Sequence, residues 1–323
     1  MKLAFVLDPL EALKAYKDSS VAMMREAQRR GHEVHALEAR SMYLRDGRVM
    51  ASVRKLSVSD DDHAWYRADA ARDDALSGFD LVLMRKDPPF DLEYYNATLL
   101  LDRVEAEGAR VVNRPRALRD WNEKLGILAF ASLAPPTLVA SGMARIHAFI
   151  DEHRDVVVKK LDGMGGAMIF RVQSDDVNRN VIVETITDLG ARTVMAQRYI
   201  PEIAKGDKRV LVIDGKPFPH CLARIPKAGE TRGNLAAGGR GVAQPISARD
   251  REIAETIGPH LVKAGIVFAG LDVIGDWVTE INVTSPTCIV EIAQQTGRNA
   301  AVDLLDALER ARGATPSQTA NRS

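Results

Sequence analysis

The sequence Lys159-Lys-Leu-Asp-Gly-Met-Gly-Gly166 directly follows the apolar residues Val156-Val157-Val158. This pattern predicts a short buried strand that leads two lysines into a glycine-rich loop. Glycine permits positive φ and lets backbone N–H groups approach a phosphate closely. A lysine at the end of the strand supplies a positive charge for that phosphate. An ordinary glycine-rich turn beside solvated lysines explains this stretch equally well, so the rest of the chain has to decide.

Length and composition limit the class of protein. The chain has 323 residues, enough for two domains. It contains 44 basic and 44 acidic residues, so no net field draws the whole protein to nucleic acid or to an anionic membrane. The apolar run 3–7 is too short for a signal peptide, and no stretch approaches the length of a membrane span. We therefore expect a cytoplasmic protein that binds neither.

The first 121 residues alternate predicted strands and helices. This pattern predicts a parallel-sheet, Rossmann-like α/β domain, in which ligands bind beyond the carboxyl ends of the strands. The residues that follow such ends are candidate binding residues: Asp18, Ser19, Ser20 and Arg85. Asp46-Gly47 predicts a hairpin. The acidic stretch 57–74 has little periodicity, and we expect an exposed loop or a loose helix there.

Residues 122–312 predict a second domain that is richer in antiparallel pairs, so its class is α+β. Within it, residues 226–242 lack periodicity and contain many glycines together with Arg232, Asn234 and Arg240. A long segment of this kind predicts a closing lid, and a plain mobile surface loop is the alternative. The polar tail 313–323 has no apolar anchor and is expected to be disordered.

A predicted pair of strands near the C-terminus carries candidate metal ligands. Glu280 and Asn282 are two residues apart, so their side chains point to the same face. Such oxygen ligands suit Mg²⁺, which takes its other ligands from phosphates and water. Asp272 on the preceding strand could be a third ligand, but only if a three-residue loop or a β-bulge pairs it with Glu280 instead of Thr279. The alternative is the polar, solvent-facing side of an edge hairpin.

Arginines gather in the same part of the sequence. Arg209 and Arg224 lie on a predicted hairpin, ahead of Arg232 and Arg240. Because arginine binds phosphate and carboxylate bidentately, this cluster indicates an anion site despite the zero net charge.

Three further residues are candidates for a nucleoside. Gln197 and Tyr199 end a predicted strand and could contact the edge and face of a purine, although core packing explains Tyr199 equally well. Asp207 could bind a ribose hydroxyl, or it could simply end a turn.

No Ser/His/Asp or Cys/His set suggests a covalent nucleophile, and the seven histidines lack the spacing of metal ligands. Cys221 and Cys288 lie in apolar runs and are expected to be buried thiols. What remains is lysines, a glycine loop, carboxylates and arginines, a set that fits phosphoryl transfer.

Longer strings resemble a known family. The spacing of Lys124, Lys159, the glycine loop, Gln197–Tyr199 and Glu280-x-Asn282 resembles the ATP-grasp ligases. The prokaryotic glutathione synthetases are similar to this chain in the strings Met84-Arg-Lys-Asp-Pro-Pro-Phe-Asp91, Lys205-Gly-Asp-Lys-Arg-Val-Leu-Val212 and Thr279-Glu-Ile-Asn-Val-Thr-Ser-Pro-Thr-Cys288. The similarity extends from residue 1 to about residue 312.

The resemblance implies a fold and a reaction. An N-terminal Rossmann-like domain (1–121) would precede a two-lobed ATP-grasp domain (122–312), with lobes 122–200 and 201–312. The enzyme would join γ-L-glutamyl-L-cysteine to glycine with ATP, forming glutathione, ADP and phosphate through an acyl phosphate. It would use two Mg²⁺ ions, with Mn²⁺ as a possible substitute, and would form a homotetramer.

The resemblance also assigns roles to residues of this sequence. ATP would be held by Lys124, Lys159, Gly163, Gly165, Gly166, Gln197, Tyr199 and Asp207. The metal ions would be bound by Asp272, Glu280 and Asn282. Arg209, Arg224 and the backbone of Gly239 would be catalytic. The dipeptide and glycine would contact Asp18, Ser19, Ser20, Arg85, Arg232, Asn234, Ser285 and Thr287.

Two other functions stay open on the sequence alone. One is a different ATP-grasp amide ligase with another acceptor, and the other is a non-catalytic ATP-binding protein. A Rossmann-type dehydrogenase is disfavoured because the Gly-x-Gly-x-x-Gly fingerprint is missing.

Overall fold

The computed structural model describes residues 1–163, 165–230, 232–235 and 238–313, with side chains as far as Arg310. The predicted disordered tail lies outside these residues from residue 314 onward. The strands are β1 (Lys2–Leu7), β2 (Glu33–Glu38), β3 (Met42–Arg45), β4 (Arg48–Val58), β5 (Tyr66–Ala68), β6 (Arg72–Ala75), β7 (Leu81–Met84), β8 (Arg110–Val112), β9 (Thr137–Ala140), β10 (Asp155–Lys160), β11 (Ile169–Gln173), β12 (Val194–Arg198), β13 (Asp207–Ile213), β14 (Lys216–Ile225), β15 (Arg240–Pro245), β16 (Phe268–Ile274) and β17 (Trp277–Asn282).

The α-helices are α1 (Ser19–Arg29), α2 (Leu92–Ala106), α3 (Pro115–Asp120), α4 (Met143–His153), α5 (Arg179–Thr187), α6 (Ala248–Ala264), α7 (Ile289–Thr296) and α8 (Ala300–Gly313). Among these described residues, no helix is long and apolar enough to span a bilayer. The first two helices are N-capped by aspartates: the Asp18 carboxylate accepts from Ser20 N and Val21 N, and that of Asp91 accepts from Tyr94 N.

The N-terminal sheet is mixed rather than purely parallel. Strands β2, β1, β7 and β8 are parallel neighbours in that order, as the strand–helix alternation predicts. The predicted hairpin at Asp46-Gly47 is confirmed, because both residues have positive φ and join β3 to β4. Strand β4 also pairs antiparallel with β2, which extends the sheet beyond the parallel part.

The expectation of a loop or loose helix at 57–74 is wrong. Strand β4 extends to Val58, and β5 and β6 both pair antiparallel with it. The signal was missed because β5 and β6 are short and contain few buried residues. Their backbone hydrogen bonds to the longer strand β4 hold them, without any apolar alternation of their own.

The second half of the chain contains two antiparallel sheets, as the α+β interpretation predicts. The first has the order β11-β10-β12-β9, and the second has the order β15-β14-β13-β16-β17. Between the N-terminal domain and β9, the chain forms a 3-10 helix at Leu125–Phe130.

The buried apolar side chains of the described residues form three cores, and one of them belongs mainly to the four-stranded sheet. The four-stranded sheet packs with α4 and α5 around a core of its own, which includes Ile146, Val158 and Val183. The N-terminal sheet and the five-stranded sheet instead share two cores, one of which also includes α7 and α8. The four-stranded sheet therefore forms a separate lobe, and a cleft can lie between it and the rest.

Candidate active site

Two adjoining clefts contain most of the candidate residues. One cleft of about 920 Å³, which we call the lysine cleft, is lined by both lobes and includes Lys124 and Lys159. The other, of about 1770 Å³, includes Arg209 and Arg224 and is called the arginine cleft. Residues that line both clefts are Gly163, Gly165, Asn234, Asp272 and Glu280. The two clefts thus meet at the predicted metal ligands.

A β-bulge brings the two predicted carboxylate ligands together. Near the turn, Val273 pairs with Val278, but the register shifts so that Asp272 pairs with Glu280. The sequence allowed this pairing only with a longer loop or a bulge, and the structure contains the bulge. Thr279 is the extra residue, and its hydroxyl donates to the Asp272 carbonyl (3.2 Å). Gly270 pairs with Asn282 in the same register.

Glu280 lies between two buried lysines. The ammonium groups of Lys124 and Lys159 are each 3.5 Å from Glu280 Oε1. Burial would raise the pKa of Glu280, but the two lysines outweigh it and hold the pKa below its ordinary value. Burial also lowers the pKa of Lys159, against the opposing effect of Glu280. The Glu280 carboxylate therefore stays ionised at neutral pH.

Lys124 and Lys159 are also held by backbone carbonyls. Lys124 Nζ donates to the carbonyl of Gly163 (2.7 Å), and Lys159 Nζ donates to that of Thr279 (3.3 Å). Both side chains are nearly inaccessible to solvent yet line the lysine cleft. Two positive charges therefore face one end of this cleft.

A buried network of arginines and aspartates joins the two clefts. Arg209 Nε and Nη2 donate to the two oxygens of Asp272 (2.5 and 3.1 Å). Arg224 Nη2 lies 2.9 Å from Asp272 Oδ2 and also pairs with Asp207. A Cβ on Gly270 would lie 2.6 Å from Arg209 Cδ, so the glycine leaves room for that side chain.

The two aspartates of this network differ in charge state. Burial opposes ionisation of Asp272, but Arg209 and Arg224 together lower its pKa well below the ordinary value. Burial raises the pKa of Asp207 to about 7, with Arg224 acting in the opposite direction. The Asp207 Oδ1 atom is buried and has no hydrogen-bond partner among the described residues. Asp207 Oδ1 is therefore a hydrogen-bond acceptor that can serve a ligand in the lysine cleft.

Aromatic and apolar side chains also line the lysine cleft. Gln197 Nε2 donates to Thr137 Oγ1 (3.1 Å), and Tyr199 lines the cleft beside it. The guanidinium of Arg171 stacks 3.7 Å from the centre of the Tyr199 ring and is held in place by Asp155. Ile200 and other isoleucines complete a surface that suits a flat, apolar ring.

The glycine loop contacts the predicted lid. Gly165 and Gly166 have positive φ, and a Cβ on Gly166 would lie 2.9 Å from Asn234 Oδ1. Arg232 Nη1 donates to the Gly166 carbonyl (3.4 Å). The loop and the described part of the lid thus close over the lysine cleft. Residues 164, 231, 236 and 237 lie outside the described residues.

The structure brings together only some of the residues that were predicted to contact the dipeptide and glycine. Asp18, Ser285 and Thr287 line the arginine cleft, as does Asn234. Arg232 lines the lysine cleft instead. Gly239 is not among the residues that line either cleft, and its N–H donates to the Asn234 carbonyl (3.2 Å).

Three other predicted residues lie behind the arginine cleft. Arg85 donates to Ser20 Oγ (3.1 Å) and to the Pro286 carbonyl (3.0 Å), and all three groups are buried. Ser19 Oγ accepts from Ile289 N (3.3 Å). In the structure these side chains support the loop that contains Ser285 and Thr287, whereas the sequence predicted direct substrate contacts.

Several residues of the two clefts were missed by the sequence reasoning. Asp8 and Glu291 add carboxylates to the arginine cleft, and Glu123 lines it from a different segment. Asp8 directly follows β1, so the strand-end rule could have found it. Nothing in the local sequence of Glu123 or Arg171 separates them from ordinary surface residues.

The donor set was compared with the needs of Mg²⁺. Among the residues the structure describes, no three His, Cys, Asp or Glu side chains lie close enough together to hold a metal. Magnesium is commonly bound through one or two carboxylates plus phosphate and water. Glu280 and Asn282 are both partly exposed in the arginine cleft. These residues fit Mg²⁺ that arrives with a nucleotide.

Several solved structures share this fold. A D-cycloserine synthetase superposes with a TM-score of 0.68 at 17% identity, covering 96% of this chain and 99% of the other. A RiPP-associated ATP-grasp ligase from Chryseobacterium gregarium, in complex with ADP and a leader and core peptide, superposes with a TM-score of 0.65 at 17% identity, covering 96% of this chain and 97% of the other. At these identities the likeness establishes the fold alone.

The sequence comparisons establish the family. The model described as "Prokaryotic glutathione synthetase, N-terminal domain" matches residues 1–119, and its ATP-grasp domain model matches residues 123–297. The glutathione synthetase of Nitrosomonas europaea is 56% identical over 313 residues, covering 96% of this chain and 98% of the relative. That of Bordetella parapertussis is 54% identical over 318 residues, covering 97% and 100%. The chain belongs to the prokaryotic glutathione synthetase family.

Proposed function

We propose that this protein joins γ-L-glutamyl-L-cysteine to glycine with ATP, giving glutathione, ADP and phosphate through an acyl phosphate. The observation that carries this proposal is the junction of the two clefts at Asp272 and Glu280. A nucleotide in the lysine cleft would direct its phosphates to that junction, and an acceptor carboxylate in the arginine cleft would meet them there. Family membership supports the choice of substrates.

The lysine cleft is proposed to hold ATP. Lys124 and Lys159 would neutralise the phosphates, and the N–H groups of the loop glycines would add hydrogen bonds. Gln197, Tyr199 and the isoleucines would surround the adenine. Asp207 would accept from a ribose hydroxyl through the oxygen that has no protein partner.

Arg209 and Arg224 are proposed to act on the reacting groups. Their guanidinium groups are oriented by Asp272, so they are preorganised for the negative charge that develops as the carboxylate attacks the γ-phosphate. The same charges would stabilise the tetrahedral oxyanion when the glycine amine displaces phosphate. Ser285, Thr287 and Asp18 would position the dipeptide or glycine beside them.

Glu280, Asn282 and Asp272 are proposed to hold Mg²⁺, with Mn²⁺ as a substitute. The metal would supply charge neutralisation between the β- and γ-phosphates. Asp272 already accepts from two arginines, so Glu280 is the ligand with the greater freedom to bind. The segment 226–242 is proposed to exclude water, because an acyl phosphate hydrolyses readily. We also propose a cytoplasmic homotetramer.

The test is ADP release from ATP and magnesium, with γ-glutamylcysteine and glycine offered separately and together. We expect ADP release that requires both substrates and equals the glutathione formed. ADP release with a different carboxylate and amine would keep the ligase chemistry and replace the substrates. Tight ATP binding without turnover on any pair would contradict an enzymatic role.

A further inference from the structure

Glu123 contacts the start of residues 284–287, which include Ser285 and Thr287. We call this segment the acceptor loop, because these two residues are proposed to position the dipeptide or glycine. Its Oε1 atom accepts three hydrogen bonds, from Val283 N (3.0 Å), Thr284 N (3.1 Å) and Thr284 Oγ1 (2.8 Å). Its backbone carbonyl accepts a fourth, from Ile281 N (2.8 Å). These donors flank Asn282, and Ser285 follows directly. A single residue therefore fixes the end of β17 and the beginning of the acceptor loop.

The two residues adjacent to Glu123 in the sequence, Asn122 and Lys124, contact the part of the site that is proposed to hold the nucleotide. Asn122 Oδ1 accepts from the backbone N–H groups of Lys124 and Leu125 (both 3.0 Å), which fixes the turn. Asn122 Nδ2 donates to the carbonyl of Leu161, at the start of the glycine loop (3.3 Å). The next side chain, Lys124, reaches Gly163 and Glu280. Residues 122–124 thus contact the glycine loop, β17 and the acceptor loop together.

The carboxylate of Glu123 is suited to holding this arrangement. It is only partly buried and lines the arginine cleft, whereas its partner Thr284 is 4% exposed. Three hydrogen bonds converge on one oxygen of this carboxyl group, and they fix two backbone N–H groups and one hydroxyl at the start of the loop. Because Lys124 is the adjacent residue, a shift of the acceptor loop at Glu123 would also shift the phosphate-binding ammonium.

We propose that Glu123 is a positioning residue that holds the acceptor loop (residues 284–287) in register with Lys124, so that the carboxylate and the γ-phosphate meet correctly. This inference rests on the proposed function, because it assumes that the two clefts bind the two reactants. Glu123 acts through Lys124, Asn282 and Ser285 rather than on the reacting atoms. The competing interpretation is that these hydrogen bonds only stabilise the fold.

The test compares Glu123→Ala with Glu123→Gln in the full-length chain. Glu123→Ala removes the acceptor but leaves the backbone hydrogen bond to Ile281. A misplacement of about 1 Å can cost about 100-fold in rate, so we expect kcat/KM for the dipeptide to fall about 100-fold, mostly in kcat. Glu123→Gln keeps an acceptor oxygen, and we expect it to restore kcat/KM to within about tenfold of the unmodified chain.

A matched control separates positioning from stability. Glu26 likewise accepts several hydrogen bonds, from Arg29 and Arg30, but it is a buried residue of α1 that lies outside both clefts. Glu26→Ala is expected to lower Tm while kcat/KM stays within about twofold, because it loses only stabilising bonds. If Glu123→Ala behaves like this control, with a lower Tm and unchanged kcat/KM, the positioning role is wrong.

A second variant covers the case in which Glu123→Ala does not fold. Thr284→Val removes one donor to Glu123 and keeps the side-chain shape. We expect Thr284→Val to lower kcat/KM about tenfold. In the double variant with Glu123→Gln, we expect the loss of kcat/KM to be smaller than the product of the two single losses, because the effects of residues in contact are non-additive. Single variants with unchanged kcat/KM would overturn the proposal. Failure of the unmodified chain to form glutathione would instead overturn the proposed function.

Discussion

The lysine cleft and the arginine cleft are built differently. The lysine cleft lies between a lobe with its own core and the rest of the molecule, and many of its polar residues sit on paired strands or the loops that directly follow them. The arginine cleft combines loops of the N-terminal domain with the five-stranded sheet, which share cores. We infer that opening of the separate lobe would change the lysine cleft more than the arginine cleft.

The comparison also explains which residues can be recognised from sequence. A side chain on a strand has a fixed face and a partner set by register, so Lys159 and Glu280 could be placed. A side chain on a loop depends on contacts with distant segments. Arg85 is an example, because it contacts Ser20 and Pro286 rather than the open cleft.

The largest effect is expected where the two clefts meet. Glu280→Gln removes the carboxylate between Lys124 and Lys159 and one proposed metal ligand. We expect kcat to fall about 100- to 1000-fold, because the loss of one charge-stabilising group has a cost of this size. The control is Glu255→Gln, at an exposed residue of α6. Normal turnover with unchanged magnesium dependence would contradict the metal assignment.

A smaller effect is expected in the arginine cleft alone. Arg209→Lys cannot reproduce the bidentate contact with Asp272. We expect kcat to fall about 100-fold while the KM for ATP changes little. Arg249→Lys, at a partly exposed arginine of α6, is the matched control. A change confined to the KM for ATP would mean that Arg209 serves the lysine cleft instead.

A still smaller effect is expected in the lysine cleft alone. Arg171→Ala removes the guanidinium stacked on Tyr199 and frees that ring. We expect the KM for ATP to rise about fivefold, because a cation–π contact of this kind is worth about 1 kcal/mol. The KM for γ-glutamylcysteine should not change. An equal rise in both KM values would remove the distinction between the clefts, and Arg116→Ala controls for loss of a surface arginine.

The last effect concerns stability and its dependence on pH, and not turnover. Since burial raises the pKa of Asp207 from 3.8 to about 7, the folded protein retains a proton there that the unfolded chain has lost between these values. The contribution of Asp207 to stability is therefore lost as pH rises from about 4 to about 7. We expect the free energy of unfolding in urea, relative to Asp207→Asn, to decline across this range. A difference that does not change with pH would contradict it.

Much of the fold follows from local signals in the sequence. Apolar runs, helix caps and the Asp46-Gly47 and Asp214-Gly215 turns define most strands and helices. Strands β5 and β6 could not be predicted, because pairing with β4 holds them without apolar alternation. The 3-10 helix Leu125–Phe130 was also missed. Hydrogen bonds from β17 hold the chain on both sides of it, from Ile281 N to the Glu123 carbonyl (2.8 Å) and from Val278 N to the Leu133 carbonyl (2.9 Å), and no local pattern encodes them.

The site was predictable in part for the same reason. The two-residue spacing of Glu280 and Asn282 predicts that both side chains lie on the same face of the strand. Asp272 joins them only through a β-bulge, and the sequence did not show whether that bulge is present. The pairing of Arg224 with both aspartates depends on three neighbouring strands at once. The contacts of Glu123 with Val283 and Thr284 span about 160 residues, and no local pattern encodes them.

The most direct test follows an oxygen atom between the two clefts. γ-Glutamylcysteine labelled with oxygen-18 in its cysteinyl carboxylate would be turned over with ATP and glycine, and the phosphate analysed by mass spectrometry. If the carboxylate attacks the γ-phosphate where Asp272 and Glu280 join the clefts, one labelled oxygen leaves in each phosphate. Glutathione formed with ADP and unlabelled phosphate would contradict the acyl phosphate and the meeting of the two reactants at this junction.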